Sequence, residues 1–187
     1  MAKILFGVAK EGMGHAIRDK VIIKELSKKH DIMILAGGKP YRYLSKHFKG
    51  IRKVDDFDLI YLNNSVSYTL TFLRNLIRLP IILFSLVKNR VKIKKFNPDI
   101  IISDFEPLSN YLSYYLKKPL ISVDNQHINT KCDINFPKKY KTDHILTSMV
   151  ISSIITNAKY YLITSYFSPK IKNKTAFLFP PIIRKEI

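Results

Sequence analysis

Apolar residues fall along this chain in two alternating patterns. Short apolar-rich runs at 4–8, 31–36, 100–104 (with a polar end), 120–123, 160–164 and 176–179 have the length and content of buried strands, and 51–54 reads as a further strand. The stretches between several of them repeat at helical spacing. After Ala9–Gly14, a turn with two glycines, Ile17, Val21, Ile22 and Leu26 share one face, with Asp19, Lys20, Lys24 and Lys28 elsewhere. Pro40–Phe48 reads as a short helix, and Leu70–Lys95 as a long one with a kink or break at Pro80. Leu108, Tyr111, Leu112, Tyr115 and Leu116 mark the inner face of a helix over Glu106–Lys117, and His144–Asn157 is helical. Tyr61–Ser67 stays ambiguous, and Ile128–Lys139 reads as a polar loop. Strands alternating with helices predict an α/β fold: an open, mostly parallel sheet with helices on both faces.

At 187 residues, nearly half of them apolar, the chain suits one folded domain with a short tail. One cysteine, Cys132, allows neither an internal disulfide nor a paired-cysteine metal site, which fits a reducing cytoplasmic compartment. The apolar run at the N-terminus is too short for a secretory signal and ends in Lys10-Glu11. A formal charge of +18 calls for an anionic partner, such as a phosphate-bearing ligand, an anionic membrane surface or nucleic acid. It is equally the charge of a lysine-biased chain whose lysines cover solvated faces. The aromatic residues sit mainly on apolar helix faces and no nucleic-acid-binding motif is present, so no nucleic-acid partner is expected.

Parallel sheets bind ligands beyond the carboxyl ends of their strands. That rule selects Ala9–His15, Ser103–Glu106 and Asp124–His127, all rich in polar residues or glycine. Gly12 and Gly14 allow close backbone approach at a helix start, where free N–H groups favour an anion. A dinucleotide fingerprint fails here. Ile17 stands where its third glycine belongs, and the second strand ends in Ala36-Gly37-Gly38 without a ribose-binding acid. His15 opens the first helix, where the helix dipole disfavours imidazolium; it is either a general base or a cap on the loop. Arg18 binds an anion or pairs with Asp19 or Glu11. Asp104, Glu106 and Asp124 orient a histidine, bind hydroxyls, or cap the helices that follow. Gln126 and His127 bond a ligand or brace their loop. The histidines lack metal-ligand spacing, so no metal site is expected.

Phe72–Val87 is apolar but contains Arg74, Arg78 and Pro80, with Lys88 and Arg90 just beyond. It is too short and interrupted to span a bilayer, and either lies at an anionic membrane surface or packs on the sheet.

Three segments resemble, in order, a microbial branch of GT-B glycosyltransferases related to MurG and the UDP-glucuronosyltransferases. Glu11-Gly12-Met13-Gly14-His15-Ala16-Ile17-Arg18 resembles that branch's EG-x-GH-x-x-R opening. Pro98-Asp99 through Ile102-Ser103-Asp104-Phe105-Glu106-Pro107 resembles its PD-x-x-ISDFEP segment, and Ile121-Ser122-Val123-Asp124-Asn125-Gln126-His127 its IS-x-DNQH segment. Gly37-Gly38-Lys39-Pro40-Tyr41 and Asn63-Asn64-Ser65-Val66 are also similar, and the likeness runs from Lys3 to about Arg184.

The resemblance implies a Rossmann-like domain over residues 1–180, the N-terminal, acceptor-side half of a GT-B fold, with 181–187 beginning an interdomain linker. Such enzymes run to roughly twice one domain of this size. The donor-binding half is therefore expected to lie outside this sequence, leaving the chain inactive alone. The implied reaction moves a sugar from a nucleotide-sugar to a hydroxyl acceptor, lipid-linked or part of an envelope glycan, with no cofactor and no essential metal. The implied base is His15, assisted by a carboxylate, with Asp124 placed ahead of Asp104. Gly12, Gly14, Arg18, Glu106, Asn125, Gln126 and His127 are the implied substrate-binding residues. His15, Asp104 and Asp124 are expected to face one open cleft. A separate donor-domain subunit and peripheral contact with the inner face of an anionic membrane are the other partners expected. The alternative is a non-catalytic protein, either truncated or a membrane- or partner-binding subunit of a split enzyme.

Overall fold

A computed structural model describes residues 1–55, 57–62 and 65–183. The similarity noted at Asn63-Asn64 and Arg184 lies outside the described residues. Seven strands form one parallel sheet: β1 (Lys3–Val8), β2 (Asp31–Ala36), β3 (Ile51–Lys53), β4 (Ile100–Asp104), β5 (Leu120–Asp124), β6 (Tyr160–Thr164) and β7 (Ala176–Phe179). Their order is β3-β2-β1-β4-β5-β6-β7. Side chains alternate along each strand and feed two cores. Leu5, Leu35 and Ile101 enter one, and Ile4, Phe6, Val8, Ile34 and Ile102 the other. That double burial is why these strands read as unbroken apolar runs.

The helices are α1 (Met13–Leu26), α2 (Gly38–Leu44), α3 (Tyr68–Phe96), α4 (Pro107–Leu116), α5 (Ile128–Lys131) and α6 (Lys141–Ile154). Short antiparallel pairs join Tyr61–Leu62 to Ser65–Val66, and Cys132–Asp133 to Lys170–Ile171. The segment read as one polar loop after residue 128 thus holds α5 and a strand.

Three helices depart from their expected faces. On α1 the buried residues are Ala16, Asp19 and Ile23, so an acidic residue expected outside is fully enclosed. On α4, Leu108, Ser109, Asn110, Leu112 and Ser113 point inward, while Tyr111 and Tyr115, expected inside, are exposed. Small hydroxyl side chains let α4 approach the sheet closely. Ser109 and Ser113 bond back to the carbonyls of Glu106 and Asn110, which satisfies them locally. The third is α3, a single helix of 29 residues that runs through Pro80. Of the two alternatives for its apolar residues, packing on the sheet fails over most of its length.

Between β1 and β4 the chain's direction of winding reverses. This is the point where an open parallel sheet leaves a crevice outside its carboxyl edge. Gly7 of β1 pairs with Ser103, and Val8 with Asp104. Gly7 is required for packing: a β-carbon there would stand 2.6 Å from a Glu106 oxygen and 2.7 Å from Ser109 Oγ.

Candidate functional site

The crevice is built by two loops. After β1 the chain turns through Gly12, whose φ of 76° suits glycine, and enters α1 with His15 in its first turn. After β4, Phe105 takes a left-handed φ of 52°, unusual for an aromatic residue. The reversal separates its neighbours. Asp104 points back toward α1, while Glu106 turns inward and caps α4 by accepting the N–H groups of Leu108 and Ser109 at 3.0 and 2.6 Å. Ser103 Oγ accepts the Glu106 N–H at 2.9 Å and closes the turn.

His15 and Asp104 meet at this point. His15 Nδ1 and Asp104 Oδ2 are 2.7 Å apart, with the carboxylate wholly buried and the imidazole side chain 17% exposed. The other Asp104 oxygen accepts from Arg18 Nη2. Arg18 also donates to Thr164 Oγ1 at the end of β6 and to the Val123 carbonyl in β5. One guanidinium thus ties three strand ends together. Burial would lower the Arg18 pKa, but the carboxylates of Asp104 and Asp19 outweigh it and raise it, so the charge is permanent. Asp19 lies beneath, 3.6 Å from Arg18 Nε and fully enclosed; burial, then the neighbouring Asp104 charge, push its carboxyl well above the usual carboxylate range.

Asp124 does not reach His15. Its carboxylate accepts from the His127 ring, with Asp124 Oδ2 2.7 Å from Nδ1, and from the Ser122 hydroxyl at 2.5 Å and the His127 backbone at 2.9 Å. Burial works to raise its pKa, and these bonds, His127's first, bring it below the ordinary value. The His127 ring is sealed against Phe105 and Tyr161. Of the three groups expected on one open cleft, His15 alone is reachable; Asp104 lies directly behind it, and Asp124 is enclosed one strand further on. Glu106 and His127, expected to bind substrate, are spent on the cap and on Asp124.

His15 stands on the boundary of two clefts. The larger, about 830 Å³, is lined by Lys10, Gly12, Phe105 and Gln126, by Thr71 and Asn75 of α3, and by Ser153 and Ile154 of α6. The smaller, about 450 Å³, is lined by Gly14, Arg18, Asn125, Thr164, Ser165 and Tyr166. Gln126 Nε2 is 3.3 Å from His15 Nε2 and marks the ring edge that faces the clefts. Thr164 and Ser165 were not selected from the sequence, although they too follow an apolar run; the rule that found the other strand ends would have found them. Lys10 ion-pairs with Asp58, as do Arg74 and Arg78 of α3. Burial of the Asp58 carboxyl, which alone would raise it, is outweighed by hydrogen bonds from Arg78 and Lys10 that hold it at about 2. Among the described residues, no cluster of three or more His, Cys, Asp or Glu side chains could hold a metal ion.

A seven-stranded doubly wound sheet with its crevice at the β1/β4 reversal defines a Rossmann-like domain, the fold of the N-terminal half of a GT-B glycosyltransferase. Residues 2–187 match the model for glycosyl transferase family 1, and the chain belongs to that family. Among solved structures it is similar to MurG of Acinetobacter baumannii, with 16% identity and a TM-score of 0.52, over 91% of this chain and 44% of that one. A UDP-glucosyltransferase from Polygonum tinctorium aligns at 13% identity and a TM-score of 0.60, over 98% and 53%. Phytolacca americana UGT2, solved with UDP-2-fluoro-glucose and pterostilbene, aligns at 11% and 0.58, over 99% and 55%. The chain thus spans about half the length of the solved structures it matches. No curated protein sequence matches it.

Proposed function

We propose that residues 1–180 are the acceptor-side domain of a glycosyltransferase that moves a sugar from a nucleotide-sugar to a hydroxyl acceptor, with His15 as general base. The observation that carries this reading is the 2.7 Å contact between His15 Nδ1 and the buried Asp104, at the boundary of two clefts. An Nδ1–H donated to Asp104 leaves Nε2 as the acceptor on the cleft side. Asp104 fixes this tautomer and offsets the imidazolium formed when Nε2 takes the acceptor's proton. Arg18 holds Asp104 from behind through its Nη2. The larger, partly apolar cleft suits the body of the acceptor. The smaller one, at the N-terminus of α1, suits the anionic donor, since Gly14 leaves open space beside free helix N–H groups.

Exposed Tyr166 and Ile183 at the rim of the smaller cleft favour completion by a donor-binding domain, on the same or a separate polypeptide. Residues 181–187 would begin the connection to it. The same rim supports the second reading, a subunit that binds such a partner without turning over substrate itself.

The test is sugar transfer by the completed protein, with the donor-binding domain joined or added in trans. His15→Ala should cost about 10²–10⁴ in turnover. Undiminished turnover removes His15 from the mechanism. Transfer by neither protein favours the non-catalytic reading. For residues 1–187 alone, calorimetry should give weak binding of UDP-sugars and no turnover; tight binding would mean that the donor site is complete here.

A further inference from the structure

The helix α3 is built inside out. The residues it turns toward the domain include a polar series, Thr71, Asn75, Arg78, Ser85 and Asn89, together with buried Ile82 and Ile93 and partly buried Leu86 and Phe96. Each polar member has a fixed partner among Lys53, Asp55, Asp58 and Ile60. Thr71 Oγ1 accepts the Ile60 N–H, and Asn75 accepts the Asp58 N–H and donates to its carbonyl. Arg78 pairs with Asp55 and Asp58, Ser85 Oγ accepts the Asp55 N–H, and Asn89 donates to the Lys53 carbonyl. These bonds run from one end of the helix to the other and fix its rotation.

The opposite face is apolar and bare. Phe72, Ile77, Phe84 and Val91 are 67%, 76%, 69% and 71% exposed, with Leu73, Leu76, Ile81, Leu83 and Val87 also exposed among them. So large a continuous apolar surface marks an interaction site. Its charge identifies the partner. The helix carries seven basic residues and no acidic one, and Lys88, Arg90, Lys92, Lys94 and Lys95 are all exposed on its C-terminal third.

We propose that α3 docks this domain on an anionic lipid bilayer, lying in the interface with Phe72–Val87 at the acyl boundary and its basic C-terminal third among the headgroups. By length and composition alone the helix could cross a membrane. The polar stripe argues for lying flat, because a spanning α3 would drag Asp55, Asp58 and the edge of the sheet into hydrocarbon. The helix is about 43 Å long, enough to orient the domain and not merely tether it. One consequence rests on the acceptor reading above. The larger cleft opens between α3 and α6, which exposes Ile145, Leu146 and Met149. Docking would bring the mouth of the cleft to the lipid surface, where a lipid-linked hydroxyl is presented.

Vesicle flotation with the purified chain tests the docking without any assay of transfer, so it can fail or succeed independently of His15. Vesicles with about 30% phosphatidylglycerol in phosphatidylcholine should bind the protein, with binding falling as salt is raised. The double substitution Ile77→Glu, Phe84→Glu lies wholly on the exposed face. It should keep the melting temperature and lower partitioning by at least about tenfold. Lys92→Glu with Lys95→Glu should weaken binding to anionic vesicles further than binding to neutral ones. No flotation at low salt, or equal binding to pure phosphatidylcholine, overturns the proposal. So does a dimer in sedimentation velocity that Ile77→Glu, Phe84→Glu dissolves, because the face would then be an interface between copies of the chain.

Discussion

Two aspartate–histidine pairs stand at neighbouring strand ends with the same Nδ1-to-carboxylate contact, and they differ in assembly and in access. His15 and Asp104 are 2.7 Å apart, Nδ1 to Oδ2, and so are His127 and Asp124. Each aspartate ends a parallel strand, and each pair is held by further bonds. The first pair is assembled from two distant segments and leaves one imidazole edge on open clefts. The second is local, three residues apart, and its Nε2 is buried without a hydrogen-bond partner. A base needs a proton donor that can come and go. The sealed pair has none and can only brace the fold. The difference between them is made by chain geometry and not by residue type, since both histidines carry a carboxylate on the same ring nitrogen.

If that contrast is right, removing the two imidazoles should produce opposite phenotypes. His15→Ala in the completed enzyme should lose about 10²–10⁴ in turnover with little change in unfolding free energy. His127→Ala leaves the buried Asp124 charge without its main partner and should cost about 3–5 kcal/mol in urea unfolding. Equal destabilisation by both would reduce His15 to a structural group. Comparable loss of turnover by both, with both folds intact, would break the contrast from the other side.

The carboxylates sharpen it next. Asp104→Asn keeps the shape but offers His15 Nδ1 an amide in place of a charge. It removes the group that fixes the tautomer, and turnover should fall by about 10²–10⁴. Asp124→Asn should act on stability alone, by about 1–3 kcal/mol. Turnover near wild type in Asp104→Asn, checked beside its circular dichroism spectrum, would mean the pairing is incidental.

Much of this arrangement is legible in the sequence, and the parts that are not share a physical reason. The strands show because a parallel sheet covered on both faces needs unbroken apolar runs, as in Ile4–Val8 and Ile100–Ile102. The site loops show because strand ends in such a sheet carry polar residues or glycine. The partner of His15 does not show, because it is set by the register that brings Val8 beside Asp104 across 96 residues. Local spacing favours Asp124, three residues from a histidine of its own. Helix faces mislead where side chains are amphipathic. Tyrosine counts as apolar in a periodic pattern, yet Tyr111 and Tyr115 stay outside while serines pack inward. On α3, the apolar run Phe72–Val87 is plain in the sequence, but composition says nothing about whether protein or another apolar phase covers it.

Acid titration separates the pairs by a smaller margin. The native Asp124 pKa lies below its unfolded value, so its contribution to stability is fully present above the ordinary carboxylate range near 3.9. It is lost as pH falls through the lower native value. Asp124→Asn should remove that part of the acid slope, leaving a shallower fall in unfolding free energy below about pH 4. An unchanged slope in the variant would mean that the bonds from His127 and Ser122 do not favour the ionised form.

The smallest effect concerns the third carboxylate, which only the first pair has. Asp19 is fully enclosed beneath Arg18 and close to Asp104, and burial together with the Asp104 charge raises its pKa well above the usual range. Its sign is the reverse of that for Asp124. A carboxyl with a raised native pKa favours the fold fully only below its unfolded pKa, and that contribution is lost as pH rises through the native value. At neutral pH the native state therefore carries a penalty either for ionising Asp19 or for holding its proton. Asp19→Asn removes the titration while keeping the volume. It should stabilise the domain at pH 7 by about 1 kcal/mol, less whatever Arg18 loses as its second partner. The gain should shrink as pH falls and vanish below about pH 4, where both proteins carry a neutral side chain at this position. Thermal unfolding of the two proteins at several pH values measures the difference. A variant less stable than wild type at pH 7, with the gap closing in acid, would show that Asp19 serves as a charged anchor for Arg18. The two pairs would then differ by a working ion pair beneath His15 and not by a strained one.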